Sequence, residues 1–399
     1  MTRRWLPALI TLTTTFGFLW ALLLINPFRL IVDAVARQSA AREDAKISTL
    51  YTDSNTQEVT NGANPLESLR ALETYWNGQR QLKRFILIGN SQTFSVLLSP
   101  EERASEAQER AYPDILLAQL LSSNHAVAGY RLSAPNISYM EVLWYVRYLL
   151  TRPGLKPDEL IIQLNFETFR KSGIREGMLD LLADPVFAQA AHEEAASTAA
   201  YATTFQQAID HYQTRRDQEK GTDAGAAAVS RTGVIDAHGF GSLLETKIRQ
   251  TLDRSTVFRS RATLKEYFTT TLYLIRVHLL GITPITKRSI GGATLATNVS
   301  SLERVGDLCR QNGIRLVLFN APQNPSAPLY RTKMDRQNYS RIVADLSRQY
   351  AARYFDFEDS IPANMWGVWI DGPDPIHFGR AAHNRLANLM YSAGVIATR

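Results

Sequence analysis

Arg84-Phe85-Ile86-Leu87-Ile88-Gly89-Asn90-Ser91-Gln92-Thr93 decides how the rest of this chain is read. The apolar run has the length of a buried strand, and it ends on Gly89, whose missing side chain permits a sharp bend. Ser91 then stands where a following helix would begin. Unpaired N–H groups at a helix start favour developing negative charge, so such a turn offers a hydroxyl and an oxyanion-stabilising environment together. Read as chemistry, Ser91 is a nucleophile. Read as structure alone, it is a helix cap, a role that serine also favours. The far end of the chain bears on the choice.

There, Asp371-Gly372-Pro373-Asp374-Pro375-Ile376-His377-Phe378-Gly379 precedes a helical run from Arg380 to Tyr391. Asp374 and His377 are three residues apart in what reads as a Pro-rich loop. A carboxylate at that spacing can orient one imidazole nitrogen while the other takes a proton from a serine. The structural alternative is a capped helix start with a surface histidine. No metal or other cofactor is expected, because Asp371, Asp374, His377 and His383 follow no recognised ligand spacing.

Between these ends, strands alternate with helices. Ala126 to Leu132, Glu159 to Leu164, Ile314 to Phe319 and Arg353 to Phe357 read as strands after the first. Tyr112 to Ser122, Tyr139 to Leu150, Val299 to Asn312 and Asp335 to Ala352 read as helices. That alternation predicts an α/β fold with a parallel sheet covered on both faces, and ligands at the carboxyl ends of its strands. Ser91, Asn136, Asn165 and Asn320 or Asn324 would share that rim.

The chain has 399 residues, 45% of them hydrophobic, enough for one large domain with an insertion or for two smaller ones. Its net charge of +6 comes from Lys and Arg scattered among nearly as many acids, which argues against nucleic-acid binding. Cys309 is the single cysteine, so no intrachain disulfide can form. The uncharged stretch from Trp5 to Asn26 is long enough to cross a bilayer, and Arg3 and Arg4 before it predict a cytoplasmic amino terminus with the remainder outside. The rival reading is a cleaved signal peptide ending near Ala34-Val35-Ala36.

These signals divide the chain into an anchor (1–30), a linker or partly helical stalk (31–83), a first α/β part (84–174), a helical insertion (175–300) and a second α/β part (301–399). Gly221 to Gly225 and Gly239 to Gly241 read as mobile joints of the insertion. Thr263 to Ile282 reads as an amphipathic helix, packed on the domain as a cap or lying on the bilayer.

Gly89-Asn90-Ser91 after the first strand, Asn165 after the third, and Asp374-x-x-His377 before a terminal helix together resemble the SGNH, or GDSL-like, hydrolase superfamily. The resemblance covers roughly 84–170 and 313–391. It implies a flavodoxin-like three-layer sheet, with Ser91 as nucleophile, His377 as general base, Asp374 as its orienting partner and Asn165 as a side-chain oxyanion donor. Two positions depart from the family pattern. Asn90 replaces the usual aspartate, and the glycine expected after the second strand is replaced near Pro135-Asn136, which leaves the backbone N–H of Asn136 as the implied second donor.

With the amino-terminal span, the Pro322-Gln323-Asn324 loop after the fourth strand and the Ile376-His377-Phe378-Gly379 ending, the chain also resembles the DltD family of D-alanine transfer proteins and the extracytoplasmic polysaccharide O-acetylation proteins. That resemblance implies a single-pass protein of the cytoplasmic (inner) membrane with its catalytic domain on the periplasmic or extracellular side. It implies a membrane-bound O-acyltransferase as partner, a polysaccharide or teichoic-acid-like polymer as acceptor, and Asn324 as a substrate-binding residue. The expected function is therefore serine acyl esterase or O-acyltransferase. A non-catalytic scaffold that binds a membrane partner or a glycan is the alternative.

Overall fold

The computed structural model describes residues 48–51, 65–78, 81–97, 110–134, 136–232, 289–327, 331–369 and 372–397. The expected membrane anchor, the Ala34-Val35-Ala36 site, Gly239 to Gly241 and the Thr263–Ile282 helix lie outside those residues. Among the described residues, no helix is long and apolar enough to cross a membrane.

A six-stranded sheet forms the centre. Its strands are β1 (Ser48–Tyr51), β2 (Lys83–Gly89), β3 (Val127–Ser133), β4 (Glu159–Leu164), β5 (Arg315–Asn320) and β6 (Arg353–Asp356), in the spatial order β1-β3-β2-β4-β5-β6. The five strands from β3 to β6 across the sheet run parallel, and β1 is an antiparallel edge. The parallel strands thus have the flavodoxin-like order, in which the chain reverses its winding direction between β2 and β4.

Alternation along these strands feeds two cores. Ile86, Ile88, Leu160, Ile162, Leu316 and Leu318 enter one apolar cluster, while Phe85, Leu87, Ile161, Val317 and Phe319 enter the other. A strand with apolar residues on both faces is stable only between two layers, which is why these runs are apolar throughout.

The first face is covered by α1 (Pro65–Gly78), α3 (Tyr139–Thr151), α6 (Gly292–Gln311) and α7 (Lys333–Gln349). The second is covered by α2 (Tyr112–Ser122) and α8 (Arg380–Ser392). Two further helices, α4 (Pro185–Ala195) and α5 (Ala202–Thr232), join the first layer.

Three expectations are corrected. The stretch read as a linker or partly helical stalk does hold a helix, α1, but its Leu69, Leu72 and Trp76 are wholly buried, and the edge strand β1 of the same stretch joins the sheet. The domain therefore starts well before Arg84. The start of the region read as an insertion belongs to the same core, since Phe187 and Phe205 each pack against Trp144 with ring centroids 5.0 Å apart. Buried Glu194 strengthens that junction by accepting from Arg304 Nη2 at 2.6 Å and from Tyr201 Oη at 2.7 Å. Finally, Gly221 to Gly225 is no joint, because α5 continues through it to Thr232.

On the second face, His383 ties α8 to α2. Its Nδ1 accepts the backbone N–H of Tyr112 at 3.1 Å, and its Nε2–H donates to the carbonyl of Ser95 at 3.2 Å. Burial drives its pKa down from 6.5 to about 3, against the Ser95 bond that favours the proton. The unfolded chain therefore binds a proton here that the folded chain refuses. The neutral imidazole's contribution is fully present above about pH 6.5 and is lost as pH falls toward 3. Urea unfolding should show this group removing about 2 kcal/mol between pH 7 and pH 5. His383→Gln should flatten that part of the pH dependence, and an equal slope in the variant would contradict the assignment.

Candidate active site

Ser91 begins a single 3-10 turn, Ser91–Thr93, directly after β2. The helix expected to begin at Ser91 is this one short turn. Asn90 caps the turn, its Oδ1 accepting the N–H of Gln92 at 3.0 Å, so the asparagine supplies the acceptor oxygen that an aspartate would. The glycine before it is required by close approach. A Cβ on Gly89 would lie 2.6 Å from Gln163 Oε1 and would also overlap the Thr93 methyl. The turn is held from below by Arg131, whose Nη1 donates to the carbonyl of Thr93 at 2.7 Å and to Asp114 at 3.0 Å.

Asp374 and His377 sit in a β-hairpin rather than in a loop. Its strands are β7 (Trp366–Trp369) and β8 (Gly372–Phe378), with the rings of Trp366 and Phe378 packed 5.2 Å apart. Residues three apart in a regular strand point to opposite faces. Here Asp374 Oδ1 accepts the N–H groups of Ile376 at 2.8 Å and His377 at 2.9 Å, an Asx-type turn that curls the strand and brings both side chains to one side.

The three residues converge. His377 Nε2 is 2.9 Å from Ser91 Oγ, and His377 Nδ1 is 3.1 Å from Asp374 Oδ2. Burial would raise the Asp374 pKa, but the hydrogen bond and charge of His377 and the two backbone donors outweigh it and hold the carboxyl below its ordinary value. An ionised carboxylate only accepts, so Nδ1 carries the ring proton and Nε2 is left to accept from the Ser91 hydroxyl. That is the tautomer a general base requires. Asp374 is buried, whereas Ser91 and His377 are half-buried.

The oxyanion candidates leave the ends of neighbouring strands. Gly89 pairs with Ser133 on one side, and Ile88 pairs with Ile162 on the other, so the loops bearing Asn136 and Asn165 flank the Ser91 turn. Asn136 is exposed and has a φ of 53°. That left-handed conformation is the one a glycine would take most easily, and asparagine is among the few other residues that accept it. Asn165 is buried, and its Oδ1 accepts the N–H of Glu167 at 2.8 Å, so its NH₂ end is what it has to offer as a donor.

The Nδ2 of Asn324 donates to the carbonyl of Asp374 at 2.7 Å and its Oδ1 accepts the N–H of Ser326 at 2.9 Å. Each end of this buried amide makes a bond to the protein, so Asn324 braces the backbone of Asp374, a role the sequence does not show. Asn320, the alternative rim residue, likewise faces inward, donating to Asp356 and Glu358 at 3.0 Å each. His383 has both ring nitrogens bound to backbone and is not available as a ligand.

No family model matches the chain, and no curated protein matches it. Among solved structures, similarity extends to Axe2, an acetylxylan esterase from Geobacillus stearothermophilus, at 10% identity and a TM-score of 0.35, over 79% of this chain and 97% of that one. LAE5, an alpha/beta hydrolase enzyme from the metagenome of Lake Arreo, is similar at 10% identity and a TM-score of 0.35, over 78% of this chain and 95% of that one. Likeness at that level carries no chemistry across.

Proposed function

We propose that this chain is a serine acyl esterase or O-acyltransferase of the SGNH type. The observation that supports the reading is the hydrogen-bonded series Ser91 Oγ, His377 Nε2, His377 Nδ1, Asp374 Oδ2 at 2.9 and 3.1 Å. In the first half-reaction the Ser91 proton passes to Nε2 while Oγ bonds to the acyl carbon. The charge that develops on the carbonyl oxygen meets the Asn165 NH₂ and backbone N–H groups at the Ser91 turn and Asn136. Collapse breaks the ester bond, and the imidazolium returns its proton to the leaving alcohol. In the second half, water or a sugar hydroxyl gives its proton to His377 and attacks the acyl carbon, the bond to Ser91 Oγ breaks, and the imidazolium returns the proton to Oγ. Asp374 holds the ring in place and stabilises its positive charge throughout.

The scaffold alternative would leave this proton path without a use. Ser91→Ala and His377→Ala should each remove p-nitrophenyl acetate hydrolysis down to the background rate. Asn165→Ala should cost on the order of a hundredfold as one donor among several. Normal activity in both of the first two variants would defeat the enzyme and favour the scaffold.

The apolar stretch Trp5–Asn26, with Arg3 and Arg4 before it, supports a single-pass anchor in the cytoplasmic membrane. The catalytic residues would then face the cell envelope, beside a membrane-bound O-acyltransferase and a polysaccharide or teichoic-acid-like acceptor. A cysteine placed near Gly221 should react with an impermeant maleimide once any outer membrane is permeabilised, while the inner membrane is intact. Labelling only after the inner membrane is broken would reverse the orientation.

A further inference from the structure

The proton path has a counterpart beneath it that no periodic pattern marks. Gln92, next to Ser91, and Gln163, near the end of β4, are both almost completely buried. Gln92 Nε2 donates to the carbonyl of Ile376 at 2.7 Å and to that of Pro322 at 3.0 Å. Gln92 Oε1 accepts from Gln163 Nε2 at 2.8 Å, and Gln163 Oε1 accepts the N–H of Asn90 at 2.9 Å. The orientation of both amides follows from the partners, since turning either one over would set oxygen against carbonyl oxygen or N–H against N–H. Gln92 therefore spends both of its N–H groups and its oxygen on four-way contact between the serine turn, β4, the loop after β5 and the histidine strand.

The gripped strand needs such partners. Pro373 and Pro375 have no N–H to offer, so β8 cannot be held by an ordinary ladder along its length. Instead its carbonyls at Asp374 and Ile376, either side of Pro375, are taken by the side-chain amides of Asn324 and Gln92. Those two bonds fix the backbone on either side of Pro375 against the loop after β5 and the serine turn, while Asp374 orients the imidazole itself.

We infer that Gln92, braced by Gln163, is a positioning residue that sets the separation of Ser91 and His377 by clasping the serine turn to the carbonyl next to the histidine. The inference rests on the reading of Ser91 as nucleophile. It predicts a loss in the chemical step and not in binding, because a shift of about 1 Å in a reacting pair can cost on the order of a hundredfold.

The test uses Gln92→Met in the full chain, which keeps the length of the side chain and removes its hydrogen bonds. The variant should react with a fluorophosphonate at Ser91 on the order of a hundredfold more slowly than wild type. It should lower kcat for p-nitrophenyl acetate similarly, leave KM within about twofold, and show Ser91 Oγ beyond hydrogen-bond reach of His377 Nε2 in a crystal structure. Adding Gln163→Met should cost little more, since the two amides act as one unit. A folded Gln92→Met chain with the 2.9 Å separation intact and wild-type labelling overturns the inference. If Gln92→Met does not fold, Gln163→Met alone decides, because it frees Gln92 Oε1 and the Asn90 N–H, and unchanged labelling there also overturns it. Wild type that fails to label at Ser91 defeats the nucleophile reading instead, and the crystallographic separation in the variant still decides the clasp.

Discussion

A single 2.9 Å hydrogen bond joins Ser91 to His377, residues 286 positions apart, and the remaining architecture can be understood as what that contact requires. The serine must leave the sheet at a fixed point. β2 provides it by lying between β3 and β4, where the winding of the chain reverses and loops diverge to leave a crevice. The histidine must approach from outside the sheet. The β7–β8 hairpin delivers it just before α8, whose buried residues anchor it to the second core.

Holding these pieces together requires polar groups inside apolar surroundings. A buried amide without partners costs on the order of 1–3 kcal/mol, so polar residues are affordable here only as closed sets. Gln92 and Gln163 form one such set, Asn324 and Asp374 another, and Tyr339, Asn320 and Glu358 a third behind the loop at Pro322. Each set links segments distant in the sequence. The same bonds that satisfy the buried groups also specify where the serine turn, the loop after β5 and the histidine strand stand relative to one another.

Much of this was legible in the sequence because it is carried by local pattern. The apolar runs of β2, β4 and β5 and the helices starting at Tyr112, Tyr139 and Arg380 follow from burial on one or two faces. Ser91, Asp374 and His377 stood out as residue types with a chemical use at compatible positions. What was missed had no local signature or a misleading one. α1 carries Leu66, Leu69, Leu72 and Trp76 on one face, but the polar, Asn-, Thr- and Glu-rich stretch around it reads as a linker or partly helical stalk and hides that this face is core. Pro373 and Pro375 disguised β8 as a loop. The bond of Asn324 to the backbone of Asp374 was not legible, since sequence shows an amide without showing what it is bonded to. Gln163 carries a signal of its own, because a glutamine in a strand buried on both faces must find partners.

The central claim is that Ser91 takes the acyl group onto its own oxygen. Mass spectrometry of the chain after brief exposure to p-nitrophenyl acetate and rapid acid quenching tests it most directly. The account predicts that the peptide containing Ser91 gains one acetyl group, and that Ser91→Ala gains none. Ester turnover with no acetyl on that peptide, at a rate equal in wild type and Ser91→Ala, would contradict it.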